Sequence, residues 1–448
     1  MGWRRPLLPG ESPLSLAISG NGRYLENQGT PFPAFWESAW DIANMLPLTG
    51  THSVETYLES RRAIGVNGVL MRLLTKRSDQ TGSDGTATLG IGLRDNTLPF
   101  ATPGDLSTPN EDYFAHYDEV ISMANIRGIA VILAICYLGY SGGGQQNADG
   151  WGPQLAAMTP TEAEDYAAFL AARWTGFDNL IVLIGGDHTA TGTQLTRCQN
   201  LIDGYTSVDP DKLFVYHGDN GTRSDDIGLD FSATGGLLDG CYSWTAGTLD
   251  GLLVAARADA PARPVFQIES PYENNPGAGG DRYRVRCDYA VSCILGMGGI
   301  VGDEEVWPGG ADDPPVVTGV DTDAEWLTSL DDTARGIRDC GRLRTMLSTR
   351  AWHQLDPTTS LTSSGYGARN AAGTFGLAFS RDGSSYDVAM SQFSGPVTAR
   401  WFDATNGTLT LATGTQPFAN SGTRAFNPAA FGSNSAGDAD LVLVLEVL

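Results

Sequence analysis

Ile181-Val182-Leu183-Ile184-Gly185-Gly186-Asp187-His188 is the stretch from which the rest of the chain is read. Four aliphatic residues run without a polar break, as in a strand buried on both faces, and the run stops at two glycines and an acid. A second stretch follows the same plan: Pro264-Val265-Phe266-Gln267-Ile268-Glu269-Ser270-Pro271 is short and apolar, and it places a carboxylate 82 residues beyond Asp187. Two strand-end acids point to one cleft, because side chains at the C-terminal ends of the strands of a (β/α)8 barrel converge on a single site. A carboxylate pair in such a place is what glycoside hydrolysis requires.

Outward from these two stretches the chain alternates strand and helix. Residues 11 to 30 form a short β lead-in turning at Gly20-Asn21-Gly22. Pro33 to Trp40 reads as the first barrel strand, with Glu37 held between Trp36 and Trp40. Val54, Tyr57, Leu58, Arg61 and Ile64 have helical spacing and Gly65 stops them, after which Val66 to Leu74 is a strand. Residues 75 to 108 are polar and long enough to be an elaborated loop over the barrel top. Ile129 to Tyr137, Lys212 to His217, Gly236 to Trp244 and Gly299 to Val301 complete the strand count, with helices between them and a last helix over 324–344. Eight such units predict an α/β TIM barrel. From about Trp352 the helical faces vanish, and short strands at 375–379, 386–390, 398–402 and 441–448 predict a C-terminal antiparallel β-sandwich. The expected division is 1–350 for the barrel and 351–448 for the sandwich.

Composition narrows the function. The 448 residues carry 52 acids against 28 bases, a formal charge of −24, and Lys76 and Lys212 are the only lysines. Such a chain repels nucleic acid and anionic membrane surfaces. No apolar run is long enough for membrane insertion or for a secretory signal behind Arg4-Arg5, so the expectation is cytoplasmic synthesis. The six cysteines are scattered without CxxC pairs, which favours buried thiols over zinc. Neither a metal nor another cofactor is expected.

The fragments Asn21-Gly22-Arg23-Tyr24-Leu25, Phe35-Trp36-Glu37-Ser38-Ala39-Trp40, Pro109-Asn110-Glu111-Asp112-Tyr113-Phe114, Gly185-Gly186-Asp187 and Glu269-Ser270-Pro271-Tyr272-Glu273 resemble, in order and spacing, the apiosidase-like glycoside hydrolases. That resemblance covers nearly the whole chain. It implies a (β/α)8 barrel followed by a β-sandwich once labelled collagen-binding, with Asp187 as acid/base and Glu269 as nucleophile of a retaining hydrolase. The chain departs from the family at the first strand, where Trp36-Glu37-Ser38-Ala39-Trp40 stands in place of Gly-Asp-Thr-Ala-Trp. The implied partner is a plant, algal or microbial polysaccharide or oligosaccharide.

Other strand-end residues are candidates for the sugar pocket. Trp36, Trp40, Tyr137, Trp151, Tyr242, Trp244, Tyr272 and Trp307 offer aromatic planes for a sugar ring or, equally, for core packing. His217 either bonds a sugar hydroxyl, orients the nucleophile or is a satisfied structural histidine. Arg72 suits an acidic sugar, Glu37 a pocket wall, and Glu273 a supporting acid or a surface residue. Asp187 has its own bland reading as a helix N-cap. Gly139-Tyr140-Ser141-Gly142-Gly143 matches an esterase elbow but lacks the following helix, and Asp303-Glu304-Glu305 reads as a solvated acidic loop. The alternative from a different class is a non-catalytic glycan-binding or structural protein on the same fold. A phage virion or tail component, released by lysis, would be one, and homo-oligomer or virion assembly would then follow.

Overall fold

The chain enters through a small antiparallel sheet of β1 (Leu16–Ile18), β2 (Leu25–Asn27) and β3 (Thr30–Phe32). The β1–β2 turn is the expected Gly20-Asn21-Gly22 hairpin, closed by the Gly22 N–H to the Ser19 carbonyl at 2.8 Å. The computed structural model describes residues 13–51, 53–74, 97–140, 150–304, 306, 335–357 and 360–447.

The apolar runs become parallel strands buried along nearly their whole length: β4 (Ala34–Ser38), β5 (Gly68–Arg72), β6 (Ala130–Tyr137), β7 (Leu180–Gly185) and β8 (Leu213–His217). After a two-residue strand β9 (Thr222–Arg223) come β10 (Gly236–Tyr242), β11 (Val265–Glu269) and β12 (Gly298–Val301). Each pairs in parallel with the next, β9 apart, and β10–β11 and β12–β4 pairings close the sheet into an eight-stranded barrel. The interior is filled by side chains rather than open. Trp36 lies across it against Phe266, with ring centroids 5.2 Å apart, and has room because Gly68 on the neighbouring strand lacks a Cβ, which would sit 2.2 Å from the indole.

Helices cover the outside and start where local chemistry predicts. Ser53 caps Val54–Ala63 by accepting the Thr56 N–H, and Thr159 and Glu162 form a capping box on Pro160–Trp174. Asp187 caps nothing: the helix after β7 is Gly192–Thr206, and its N-cap is Thr191. The helix predicted over 324–344 is described from Arg335 and continues past the predicted end to Ser348. Among the described residues no helix is long and apolar enough to cross a membrane.

The C-terminal part is antiparallel. β13 (Leu355–Pro357), β14 (Tyr366–Asn370), β15 (Phe375–Phe379), β17 (Val397–Asp403), β18 (Thr408–Leu411) and β20 (Val442–Val447) form one sheet. β16 (Tyr386–Ala389) and β19 (Thr423–Phe426) form a second, and Tyr386, Val388 and Phe426 from it pack with Trp401, Leu443 and Leu445 from the first.

The sandwich is fused to the barrel through a shared core: Leu377, Phe379, Phe402 and Val444 belong to the same apolar cluster as Tyr289, Ile337 and Leu343. Charges clasp the rim of that contact. Arg286, buried in helix Arg282–Leu295, bonds Asp440 at 2.6 and 2.9 Å, Asp438 at 2.8 Å and Asp339 at 3.0 Å. Arg381 reaches back to Asp250 and Asp288 on two barrel helices.

Candidate active site

The strand ends bring together Ser38, Arg72, Tyr137, Gly185, His217, Tyr242 and Glu269. Just past β7 the backbone takes an uncommon path: Gly185, Gly186 and Asp187 have φ of +93°, +115° and +49°. Side chains are excluded from the first two positions, since a Cβ on Gly185 would lie 2.4 Å from the His217 carbonyl and one on Gly186 2.3 Å from the Tyr137 ring. Asp187, one of three non-glycine residues with positive φ among those described, is thereby turned into the cleft. Strain of this kind is held in place only by well-determined surroundings, and it concentrates at functional sites.

His217 stands between the two acids. Its Nδ1 accepts the backbone N–H of Asp187 at 3.1 Å, so the ring proton sits on Nε2 and is donated to Glu269 Oε2 at 2.8 Å. Tyr137 donates its hydroxyl to Asp187 Oδ2 at 2.8 Å, while Asp187 Oδ1 is buried and makes no hydrogen bond within the protein. One ligand atom from each of Asp187, His217 and Glu269 lies within 4.8 Å of the other two. That spacing is one a divalent cation can bridge, but both imidazole nitrogens are already engaged, and a metal would have to displace Glu269 or the Asp187 N–H.

The two carboxyls differ in environment. Burial, and then the charge of Glu269, push Asp187 up to about 6, with His217, Tyr137 and Arg72 pulling the other way. Glu269 accepts the hydrogen bond from His217 Nε2. Burial works against a second proton on His217, but the bond to Glu269 and the charges of both acids outweigh it and raise its pKa. The phenols of Tyr242 and Tyr272 are held well above their usual range by burial and by Glu269 and Asp187, so both stay protonated.

Several predicted pocket residues gather here. Trp40 packs edge-on to Tyr137 at 5.3 Å and to His217 at 5.8 Å, and its Nε1 donates to the Tyr272 hydroxyl at 3.1 Å. Tyr242 lies 4.8 Å from His217, and Trp244, half-buried, lies 6.4 Å from Tyr272. Arg72 is in the site but is committed: it grips Asp41 at 2.5 and 2.6 Å and stacks over Tyr137 at 5.1 Å, which leaves it poorly placed to read an acidic sugar.

Other residues are turned away. Strand alternation sends Trp36 inward to the barrel core and Glu37 outward, where its Oε2 takes the Tyr57 hydroxyl and Arg61 Nε, both at 2.5 Å. Glu37 is a buried ion-pair partner and not a wall of the cleft. Trp151 packs on Phe100 outside the barrel. Glu273, only 2 % exposed, is no surface acid: it accepts the N–H groups of Gly336 and Ile337 at 2.8–3.2 Å, where the positive end of a helix suits a carboxylate. Trp307 and Ser141 lie outside the described residues. Asp41 and Ser38, which support Arg72 and Tyr272, were not among the candidates, although Asp41 directly follows a predicted strand-end tryptophan.

Comparison with known proteins gives the family and the fold. Residues 19–354 match the family model described as "Apiosidase-like, catalytic domain", and residues 364–446 match "Putative collagen-binding domain of a collagenase". A search of curated proteins returns no match. Among solved structures, a glycoside hydrolase family 5 protein from Bacteroides vulgatus superposes with a TM-score of 0.72 at 20% identity, over 98% of this chain and 94% of that one. A structure described as a glycoside hydrolase gives 0.70 at 20% identity, over 96% of both chains. At these identities the likeness is one of fold.

Proposed function

The chain belongs to the apiosidase-like family, and from that premise we propose that it is a retaining glycoside hydrolase acting on a plant, algal or microbial surface polysaccharide, with Asp187 as acid/base and Glu269 as nucleophile. The observation that carries the reading is the pair itself: oxygens of the two carboxyls lie within 4.8 Å in unlike environments. Retaining enzymes hold their acids at about 5–5.5 Å, whereas inverting ones leave about 6.5–9.5 Å for a water.

In the first step Glu269 Oε attacks the anomeric carbon while Asp187 gives its proton to the departing glycosidic oxygen. The acid is suited to this because burial and the neighbouring negative charge keep it protonated to about pH 6. The glycosyl ester then formed on Glu269 is neutral, so the charge that raised Asp187 is gone and its proton affinity falls. The carboxylate left behind takes a proton from water, whose oxygen displaces Glu269 with a second inversion. His217 donates to Glu269 throughout and fixes which oxygen attacks. Trp40, Tyr242, Trp244 and Tyr272 supply apolar faces and hydroxyls for the bound sugar.

The test is release of sugar from a panel of such polysaccharides, with the anomer of the first-formed product recorded by proton NMR. Net retention is expected, with activity declining above about pH 6. An inverted product, or release undiminished in Glu269→Gln, would overturn the assignment.

A further inference from the structure

Tyr137 was a candidate for stacking on sugar, but its surroundings give it different work. Its ring is 2 % exposed and held on three sides: the Arg72 guanidinium lies 5.1 Å from the centroid, Trp40 packs edge-on at 5.3 Å, and Gly186 presses its bare Cα against the ring. Arg72 is itself fixed by its two-pronged bond to Asp41. The hydroxyl that emerges from this clamp points at Asp187 Oδ2, 2.8 Å away. Of the two carboxyl oxygens, Oδ1 alone lacks a protein donor or acceptor, and it is also the one 3.8 Å from His217 Nδ1.

We infer that Tyr137 is a positioning residue that occupies Asp187 Oδ2 and so assigns Oδ1 as the atom that carries the catalytic proton. The inference rests on the acid/base role proposed for Asp187. The phenol hydrogen is held more strongly by a charged carboxylate oxygen than by the carbonyl oxygen that Oδ2 becomes when the proton is on Oδ1. The contact therefore favours the ionised form, in the direction opposite to burial and to Glu269. Tyr137 thus does two things: it keeps the carboxyl from rotating, and it keeps the acid able to release its proton.

The experiment needs no known substrate. The infrared carboxyl band of Asp187, isolated by subtracting the spectrum of Asp187→Asn, is followed against pH in the wild type and in Tyr137→Phe. The midpoint in Tyr137→Phe should move up by about one pH unit, with the melting temperature confirming an intact fold. Site-specific 3-fluorotyrosine at position 137, a stronger donor, should move it the other way. A midpoint unmoved by either change would overturn the positioning role. On the polysaccharide, Tyr137→Phe should lower kcat about 10- to 100-fold with little change in KM, whereas aryl glycosides with good leaving groups, which need no proton, should be affected least. Equal losses on both substrates would count against it. Asp187→Asn separates the two layers: if that variant still cleaves the polysaccharide, the acid assignment fails, independently of where Tyr137→Phe moves the band.

Discussion

Replacing Asp187 by asparagine is expected to make the protein more stable while abolishing acid catalysis, and the gain should appear only at neutral and alkaline pH. The carboxyl has an ordinary value of 3.8 and is pushed up to about 6 in the fold. An acid shifted upward binds its proton more tightly in the folded than in the unfolded chain. The stability this provides is complete below pH 3.8 and is lost as the pH climbs through 6. At about 1.4 kcal/mol per pH unit the interval amounts to about 3 kcal/mol, and a side chain only 11 % exposed leaves little water to screen it. The amide carries no charge at any pH, tolerates positive φ, and still offers an oxygen to the Tyr137 hydroxyl. Guanidinium unfolding of both proteins at pH 4 and pH 8 should give nearly coincident stabilities at the lower pH and a lead of about 3 kcal/mol for Asp187→Asn at the higher. An equal stability at pH 8, or the same gap at both pH values, would refute the claim that the fold holds this acid under electrostatic strain.

Three further outcomes follow from the packing. Asp440→Asn removes one partner from the buried Arg286 clasp and should cost about 2 kcal/mol; because barrel and sandwich share a core, calorimetry should show one transition moving, and two separate transitions would contradict the shared core. Gly186→Ala forces a side chain onto the Tyr137 ring at positive φ, so a loss of more than about 1 kcal/mol together with activity is expected in parallel denaturation and hydrolysis assays. Glu37→Gln should destabilise by about 3 kcal/mol by removing the buried charge that Arg61 Nε and the Tyr57 hydroxyl bond, yet leave KM unchanged; a raised KM with normal stability would restore Glu37 to the sugar pocket.

The acids at the heart of the site were legible because each ends an uninterrupted apolar run, and a buried strand has few other ways to stop at a charge. The barrel was legible for the same reason, repeated eight times. Glu37 was misjudged although period-two alternation contains the answer: if Trp36 and Ser38 face the barrel interior, the residue between them faces the helices. Trp151 and Glu273 could not be placed from sequence, since Phe100 and Gly336, the contacts that define them, lie 51 and 63 residues away. The short strands Thr222–Arg223 and Thr408–Leu411 leave no signal in the sequence because neither is buried enough to carry an apolar pattern. The position of His217 at a strand end is legible in sequence, but its tautomer is set by the Asp187 N–H that points at Nδ1, a contact across 30 residues.

The left-handed turn at 185–187 has a bearing on how relatives of this chain should be diagnosed. Its two glycines are dictated by the crowding of the His217 carbonyl and the Tyr137 ring, a requirement of shape that persists whether or not the cleft does chemistry. A descendant that had lost its activity would keep Gly-Gly for the sake of folding. The third letter alone would be released, and the side chain best suited to the same backbone is asparagine, which costs the acid and relieves its burial in a single step. On the acid role proposed for Asp187, Gly-Gly-Asn at this position is the signature to look for in silent members of the family, and the glycine pair by itself is a requirement of shape.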